Sequence, residues 1–159
     1  MKIKVGFGYD VHIFQEGRKL WLGGVELEHH QGLLGHSDAD VLIHAICDAL
    51  LGAANKRDIG FHFSNTDDRW KNIDSKILLK ETCKIIRAEG YEISNVDATL
   101  AIEAPKINPH VTKMQEILAQ AMDISVEDIS IKATTNEKLG YVGREEGVNA
   151  YAVALIYKS

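Results

Sequence analysis

The sequence of 159 residues has little cysteine and no excess of positive charge. Its two cysteines, Cys47 and Cys83, lie in helix-like stretches and lack metal-binding spacing, which predicts two reduced, buried thiols in a reducing compartment. Lysine and arginine total 18 against 23 aspartates and glutamates, so the net charge is −5. No window forms the basic stripe that is typical of nucleic-acid-binding proteins. Nucleic acid is therefore not an expected partner.

Long apolar runs, linkers and repeats are also missing. No run approaches the ~18 apolar residues that span a bilayer, and the N-terminus alternates like a strand instead of resembling a signal sequence or presequence. We therefore expect no membrane partner and a cytoplasmic location in a bacterial cell, or a plastid location if a transit peptide was removed. Without a linker or repeat to divide the chain, residues 1–159 are predicted to form one domain.

Hydrophobic periodicity predicts a mixture of strands and helices. Strands are predicted over residues 3–12, 19–22, 25–28, 91–103, 129–135 and 148–157, with a Gly-Gly turn between the second and third. Helices are predicted over residues 38–54, 74–89 and 108–122, the last starting with Asn108 as N-cap, and a single capped turn over 125–128.

This order of elements predicts an α+β fold, a two-layer α/β sandwich in which a mixed sheet carries helices on one face. The other sheet face would still hold many apolar side chains, and no part of the chain remains to cover it. We expect a further subunit on that face, because monomers rarely expose large apolar patches. An oligomer is predicted on this ground.

Three residues on two predicted elements form a candidate metal site. Asp10 and His12 are two residues apart near the end of the first strand, so their side chains point to the same side. His44 lies on the 38–54 helix, with Asp40 and Asp48 one turn to either side, where a carboxylate can hold its second ring nitrogen. One carboxylate and two imidazoles suit a catalytic zinc with an open fourth position. On spacing alone, a capped strand end and a surface histidine explain the same pattern.

Three polar segments suggest an anionic ligand, and each also has a plainer explanation. Residues 36–38 (His-Ser-Asp) precede the predicted helix, whose N–H groups favour an anion, but a helix cap explains them as well. Residues 132–140 offer hydroxyls, a carboxylate and lysines to phosphate oxygens and a divalent ion, but turn formation accounts for their threonines and asparagine. Residues 58–67 are long enough for a lid or for a simple connection.

Together these motifs resemble the 2-C-methyl-D-erythritol 2,4-cyclodiphosphate synthase family. The resemblance covers nearly the whole chain in order, through residues 8–12, 32–53, 58–60, 95–97, 104–106, 132–135, 137–140 and 143–147. It implies a homotrimer with active sites between subunits. It also implies conversion of 4-diphosphocytidyl-2-C-methyl-D-erythritol 2-phosphate into the cyclic diphosphate and CMP, by metal-assisted intramolecular phosphoryl transfer in non-mevalonate isoprenoid synthesis.

The resemblance assigns roles to individual residues. Asp10, His12 and His44 are expected to bind Zn²⁺, one ion per active site, and Glu137 a second divalent ion, Mg²⁺ or Mn²⁺. His36 and Thr135 are expected to stabilise the transition state. The expected substrate contacts are Ser37, Asp58, Ile59, Gly60, Phe63, Ser64, Asn65, Thr66, Asp67, Ile102, Ala104, Pro105, Lys106, Ile107, Asn108, Ala133, Thr134, Tyr141 and Arg144. Residues 102–108 and 134–137 match a cytidine pocket that is reached from the neighbouring subunit.

Two other interpretations use the same residues. One is a zinc-dependent phosphohydrolase with water in the open metal position, for which His36 is the only candidate base. The other is a non-catalytic trimer that binds isoprenoid diphosphates, with a structural zinc. Family members also have an apolar channel on the trimer axis, so an isoprenoid diphosphate bound there is a further hypothesis for this chain.

Three positions depart from residues that are common in the family. Asn136 replaces threonine beside the second metal site, Tyr141 replaces phenylalanine, and Ser64-Asn65 replaces Pro-Asp in the 63–67 loop. Because proline restrains the backbone, its loss is expected to loosen that loop. None of the three is an expected zinc ligand.

Overall fold

The computed structural model describes residues 1–159 and contains seven strands. They are β1 (Lys2–Glu16), β2 (Leu20–Leu22), β3 (Val25–Leu27), β4 (Gln31–Leu33), β5 (Glu92–Ala101), β6 (Ile129–Thr134) and β7 (Gly147–Lys158). Five of them form a sheet in the order β4-β1-β7-β5-β6, and β2 and β3 form a separate hairpin. β7 is antiparallel to both of its neighbours, whereas β6 runs parallel to β5. The sheet is therefore mixed, as predicted.

Helices cover one face of this sheet. They are α1 (Val41–Ala53), α2 (Ile59–His62), α3 (Ser75–Ala88), α4 (Val111–Met122) and α5 (Gly140–Gly143), with single 3-10 turns at Asp68–Trp70, Asn108–His110 and Val126–Asp128. α1 packs on β1 and β7, α4 packs on β6, and α3 packs against both helices. The predicted α+β class is confirmed. None of the helices has the length and apolar character that crossing a bilayer requires.

α1 lies very close to β1 because the strand presents glycines to the helix. A Cβ added to Gly8 would lie 1.9 Å from the carbonyl oxygen of Ala45, and Gly6 is packed as tightly one helical turn further along. Only residues without a side chain allow the two backbones to approach this far. The contact brings His44, the neighbour of Ala45, to the strand that carries Asp10.

The opposite face of the sheet is open and apolar. Side chains of alternate residues point to opposite faces of a strand, and the odd-numbered residues of β1 point to the open face. Their exposed fractions lie between 42% and 63%, and they are Ile3, Val5, Phe7, Tyr9, Val11 and Ile13. Val153 of β7 pairs with Phe7 and is also exposed. The structure thus contains the uncovered apolar surface that the sequence predicts.

Several boundaries differ from the prediction. β1 continues to Glu16 because β4 pairs with its end, and β4 has only three residues, too few for a visible alternation. α1 begins at Val41 instead of 38, because Asp40 has an extended backbone and caps the helix. The predicted cap at Asn108 is wrong: a 3-10 turn without a side-chain cap precedes α4. The short helices α2 and α5 were not predicted, since four residues carry no periodicity.

Candidate active site and metal centre

Three side chains from β1 and α1 converge at one end of the sheet. Asp10 Oδ2 lies 2.9 Å from His12 Nε2 and 3.1 Å from His44 Nδ1, and the two imidazole nitrogens are 3.2 Å apart. A tetrahedral zinc ion with bonds of about 2.0 Å needs ligand atoms about 3.3 Å apart. The nearly equilateral triangle of Asp10, His12 and His44 therefore fits a divalent metal ion, as the sequence predicts.

The surroundings of the triangle favour a cation. His12 Nδ1 lies 2.8 Å from the Leu34 carbonyl oxygen, to which it can only donate, so the lone pair of the neutral ring is on Nε2. Burial alone would raise the pKa of Asp10, but the adjacent imidazoles of His12 and His44, in their positively charged form, hold it well below its usual range. Burial likewise lowers the pKa of His12, but its contacts with Asp10 outweigh burial and raise it. The site thus places the ionised Asp10 carboxylate beside an imidazole nitrogen of His12, and both groups interact favourably with a positive charge.

Hydroxyl groups, and not the predicted acids, hold the second nitrogen of His44. Nε2 lies 3.0 Å from Ser75 Oγ and 3.1 Å from Ser37 Oγ. Asp48 instead accepts a hydrogen bond from the first backbone N–H of α2, 2.8 Å away. Asp40 also binds backbone groups, so the predicted role of both carboxylates in orienting His44 is wrong. Ser75 was not predicted, because it starts a helix 31 residues further along the chain.

Asp40 favours the helix-cap explanation over the anion site at the N-terminus of α1. Its buried carboxylate accepts hydrogen bonds from the backbone N–H groups of Ile43 at 3.1 Å, Gly23 at 3.0 Å and Gly24 at 2.7 Å. Burial raises its pKa. One of the free N–H groups at the start of this helix is therefore occupied by a carboxylate of the chain itself. His36 lies before this cap and faces the metal site instead.

A cavity of about 380 Å³ opens in front of the three candidate ligands. The predicted site residues on its wall are His36, Ser37, Ile59, Gly60, Phe63 and Asn65, and the unpredicted ones are Gly35, Trp70 and Leu78. The predicted residues Asp58, Ser64, Thr66 and Asp67 are not on the wall. They shape the loop instead: the Asp58 carboxylate, for example, caps α2 by accepting the Phe61 N–H at 2.9 Å.

The 63–67 loop is tied to the wall of this cavity. His36 Nε2 lies 3.2 Å from the carbonyl oxygen of Asp67, and the rings of Phe63 and Trp70 pack edge to face with their centroids 5.2 Å apart. Ser64, at the position where proline is common, accepts the Thr66 N–H through its hydroxyl at 3.2 Å. The Ser64 hydroxyl thus forms a serine turn at the position where the missing proline was expected to loosen the backbone.

A second cavity, of about 310 Å³, lies at the ends of β5 and β6. Its wall contains Ile102, Glu103, Pro105, Lys106, Ile107, Asn108, Ala133, Thr134 and Thr135. All of these except Glu103 were predicted as site residues, so the structure brings the two predicted segments together. Ala104 is the one predicted residue of this segment that is not on the wall.

Glu103 holds the loop that follows β6 and was not predicted. Its Oε2 accepts the Asn136 N–H and its Oε1 accepts the Lys138 N–H, both at 3.1 Å. Glu137 lies between these two residues, is exposed, and has a φ of 52° in the left-handed region. Such a conformation costs a residue other than glycine about 1–3 kcal/mol and persists only where the surrounding structure imposes it. Glu103 supplies that constraint, and no periodicity in the sequence marks it.

The two cavities share no residue, although both lie at the same end of the sheet. Ala101 of β5 pairs with Asn149 of β7, which pairs with Val11 of β1. The end of β5 is therefore level with the metal site. Three strand spacings separate β1 from β6, a distance of about 14 Å at ~4.8 Å per strand. One chain thus presents the two cavities separately.

Tyr141 and Arg144 lie outside both walls. The Tyr141 hydroxyl donates to Asn149 Oδ1 at 2.6 Å, and its ring lines a third cavity of about 200 Å³ that also touches His12. Arg144 pairs with Glu146, with Nε 2.9 Å from Oε1. Within one chain, neither of these two predicted substrate contacts lines the metal cavity or the second cavity.

Residues 3–157 match the model of the YgbB family. This chain belongs to the YgbB family. A relative from Cytophaga hutchinsonii, named 2-C-methyl-D-erythritol 2,4-cyclodiphosphate synthase, is 76% identical over 158 residues, which are 99% of each chain. The family and the enzyme class predicted from the sequence are confirmed.

Solved structures with related sequences have the same fold. The bifunctional IspDF of Campylobacter jejuni superposes with a TM-score of 0.96 and 40% identity, over 99% of this chain and 43% of that longer one. IspF of Plasmodium falciparum, solved as a CDP complex, superposes with a TM-score of 0.87 and 32% identity, over 99% of this chain and 97% of that one. The arrangement of sheet and helices is therefore shared across the length of this chain.

Proposed function

We propose that this YgbB chain converts 4-diphosphocytidyl-2-C-methyl-D-erythritol 2-phosphate into 2-C-methyl-D-erythritol 2,4-cyclodiphosphate and CMP, in non-mevalonate isoprenoid synthesis. The observation that carries the proposal is the triangle of Asp10, His12 and His44, which faces a cavity in a chain 76% identical to a synthase of that name. The CDP complex of the Plasmodium falciparum relative supports a cytidine diphosphate ligand in the second cavity.

The reaction asks the protein mainly to position one molecule. An oxygen of the 2-phosphate attacks the β-phosphorus of the same substrate, the bond from that phosphorus to the α-phosphate oxygen breaks, and CMP leaves. Because nucleophile and electrophile are already joined, binding in an in-line pose removes most of the entropic cost. The attacking oxygen is ionised at neutral pH, so no general base is required. Catalysis is then positioning together with electrostatic stabilisation.

The metal ions belong to the proposal as well. Asp10, His12 and His44 would hold Zn²⁺, and Glu137 would hold Mg²⁺ or Mn²⁺. Bound there, the ions supply Lewis-acid polarisation of a phosphoryl oxygen and neutralisation of the leaving group. The exposed carboxylate of Glu137, raised on the strained loop that Glu103 constrains, is open to an ion shared with substrate phosphates.

The polar groups on the two walls receive defined tasks. His36 on the metal side and Thr135 on the cytidine side would donate hydrogen bonds to the transferring phosphoryl group, where charge develops. Gly60 would hold the ribose and phosphate side of the substrate, Asn65 of the 63–67 loop would lie over its methylerythritol end, and Ser37 would contact the substrate beside the metal site. The remaining residues of the second wall would enclose the cytidine, with Lys106 as the nearest positive charge.

A trimer would bring the metal cavity of one subunit together with the second cavity of its neighbour. In one chain the strands β1 and β6 that carry the two cavities are about 14 Å apart across the sheet, and the apolar face of β1 has nothing packed on it. We propose that three copies pack these faces around an axis, so that the Thr135 cavity of one subunit meets the metal cavity of the next. Arg144 and Tyr141 would act at that junction. The axis itself is the proposed site for an isoprenoid diphosphate, and the proposed location is the cytoplasm.

Phosphorus NMR with the proposed substrate, Zn²⁺ and Mg²⁺ tests the function. We expect stoichiometric CMP and two coupled diphosphate resonances of a cyclic product. Both should be absent in His44→Ala and present in His30→Ala, which alters an exposed histidine outside the site. Release of inorganic phosphate instead of CMP would indicate the phosphohydrolase. An unchanged spectrum from a metal-loaded trimer would leave the binding protein as the explanation.

A further inference from the structure

Asp38 fixes which atom donates and which accepts in the hydrogen bonds on the side of His44 away from the metal triangle. Asp38 Oδ2 accepts the backbone N–H of Ser75 at 3.0 Å, and its Oδ1 lies 2.5 Å from Ser75 Oγ. A carboxylate can only accept hydrogen bonds, whereas a serine hydroxyl has one proton to give. The hydroxyl of Ser75 therefore donates to Asp38. Ser75 is 0% exposed, so the protein alone sets the orientation of that hydroxyl.

Because the proton of Ser75 is directed to Asp38, its oxygen can only accept from His44. The distance from Ser75 Oγ to His44 Nε2 is 3.0 Å. The neutral tautomer that satisfies this acceptor has its hydrogen on Nε2 and keeps its lone pair on Nδ1. Nδ1 is the atom 3.1 Å from Asp10 Oδ2, at the corner of the metal triangle.

Ser37 is compatible with this direction but cannot impose it. Its Oγ accepts the Ala39 N–H at 3.1 Å and lies 3.1 Å from His44 Nε2, so it can serve as a second acceptor. No carboxylate accepts the proton of Ser37, whose Oγ has only Ser75 Oγ as a further side-chain partner, at 3.4 Å. Without Ser75, the Ser37 hydroxyl is free to donate to Nε2 and to move the imidazole hydrogen onto Nδ1. The choice of tautomer therefore depends on Ser75.

We propose that Ser75, oriented by Asp38, is a positioning residue that selects the His44 tautomer able to bind the metal ion. The proposal rests on the metal site of the proposed function and adds a residue to it. Packing of the His44 ring would fix where the ring lies, but not which nitrogen carries the hydrogen. Partners of this kind, bonded to the far nitrogen of a ligating histidine, change metal affinity by about 10–100-fold when they are removed.

The test compares Ser75→Ala with two matched variants. Ser75→Thr keeps a hydroxyl at the same position. Thr82→Val removes another buried hydroxyl from the same helix, one that has no hydrogen-bond partner. Zinc affinity is measured by competition with a chelator, and the thermal midpoint of the metal-free protein reports folding. Long-range ¹H–¹⁵N correlation spectra of the metal-free protein, at a pH where imidazole is neutral, show which nitrogen of His44 carries the hydrogen.

We expect zinc binding to Ser75→Ala to weaken by about 10–100-fold, with hydrogen appearing on His44 Nδ1. Thr82→Val should bind zinc like the wild type, and Ser75→Thr should regain most of the affinity. Equal zinc affinities of wild type and Ser75→Ala, or a wild-type spectrum with the hydrogen on Nδ1, would overturn the proposal. A folded wild-type protein with the hydrogen on Nε2 that binds no zinc would instead overturn the metal site of the proposed function, and the metal-positioning role with it.

Discussion

Replacing Gly8 by alanine should pull the metal ligands apart without touching any of them. The added Cβ would lie 1.9 Å from the Ala45 carbonyl oxygen, whereas ordinary contacts begin at 3.4 Å. Either α1 or β1 must therefore move by about 1.5 Å, because a backbone atom cannot rotate away as a side chain can. His44 is the neighbour of Ala45 on α1, and Asp10 is two residues from Gly8 on β1. Moving the helix and the strand apart therefore separates His44 from the ligands on β1.

We expect a large loss of zinc affinity and a moderate loss of folding stability. Ligand distances in metal sites tolerate only about ±0.2 Å, so we expect zinc affinity to fall by at least about 100-fold, beyond the range for loss of an outer partner. Overpacking of this kind usually costs about 1–3 kcal/mol of stability. Chelator competition measures the first quantity, and urea unfolding of the metal-free protein measures the second.

Gly52→Ala is the matched control, because Gly52 lies on the same helix with only the Phe7 carbonyl oxygen near, at 3.9 Å from an added Cβ. It should bind zinc normally and gain up to about 1 kcal/mol from helix propensity. If Gly8→Ala lost stability but bound zinc as tightly as Gly52→Ala, the close approach of helix and strand would not be what positions the ligands, and this reasoning would be refuted.

Three other predictions concern different parts of the molecule. Glu103→Gln leaves only one oxygen to accept two N–H groups, which costs about 1–3 kcal/mol. Mg²⁺ titrations of CMP release should therefore shift to higher concentration while zinc affinity stays unchanged, and an unshifted titration would contradict the role of Glu103. Phe7→Asp places a charge on the open apolar face and should yield monomers in analytical ultracentrifugation, where an intact trimer would argue against that interface. Burial raises the pKa of Cys83 to about 12 and raises that of Cys47 as well. The unfolded thiols lose protons above about pH 8.5, so the unfolded state then binds fewer protons than the folded state. Stability should therefore fall by up to about 1.4 kcal/mol per pH unit for each thiol. Urea unfolding between about pH 8 and 10 should show this slope and a smaller slope in Cys47→Ala, whereas an unreduced slope in that variant would contradict the prediction.

The sequence predicts what depends on local spacing. Asp10 and His12 share one side of a strand because they are two residues apart, and the long apolar rows of α1 place His44 on a helix. The contact between Gly8 and Ala45 was not predictable, because it depends on which strand the helix lies against. The failed prediction for Asp40 has a related cause: the Gly23 and Gly24 N–H groups that bind it come from a distant hairpin.

The second cavity likewise combines residues that were predicted from the sequence with residues that were not. Thr135 and the segment after β5 were expected together only because of the resemblance to a family, and the structure confirms that they line one cavity. Glu103 and Ser75 were not predicted because each acts on a loop or helix more than thirty residues away. Residues that hold other functional residues leave no periodic pattern, since their partners are set by the tertiary fold.

The alternation along β1 assigns assembly and chemistry to the two sides of one backbone. Odd positions such as Phe7 face the open surface, whereas Asp10 and His12 are even and face the helices. Inserting or deleting one residue in a strand exchanges its two faces. A change of length before Asp10 would therefore send the metal ligands to the surface and apolar side chains into the site in a single step. Substitutions in this strand can alter one property at a time, but its length must stay fixed.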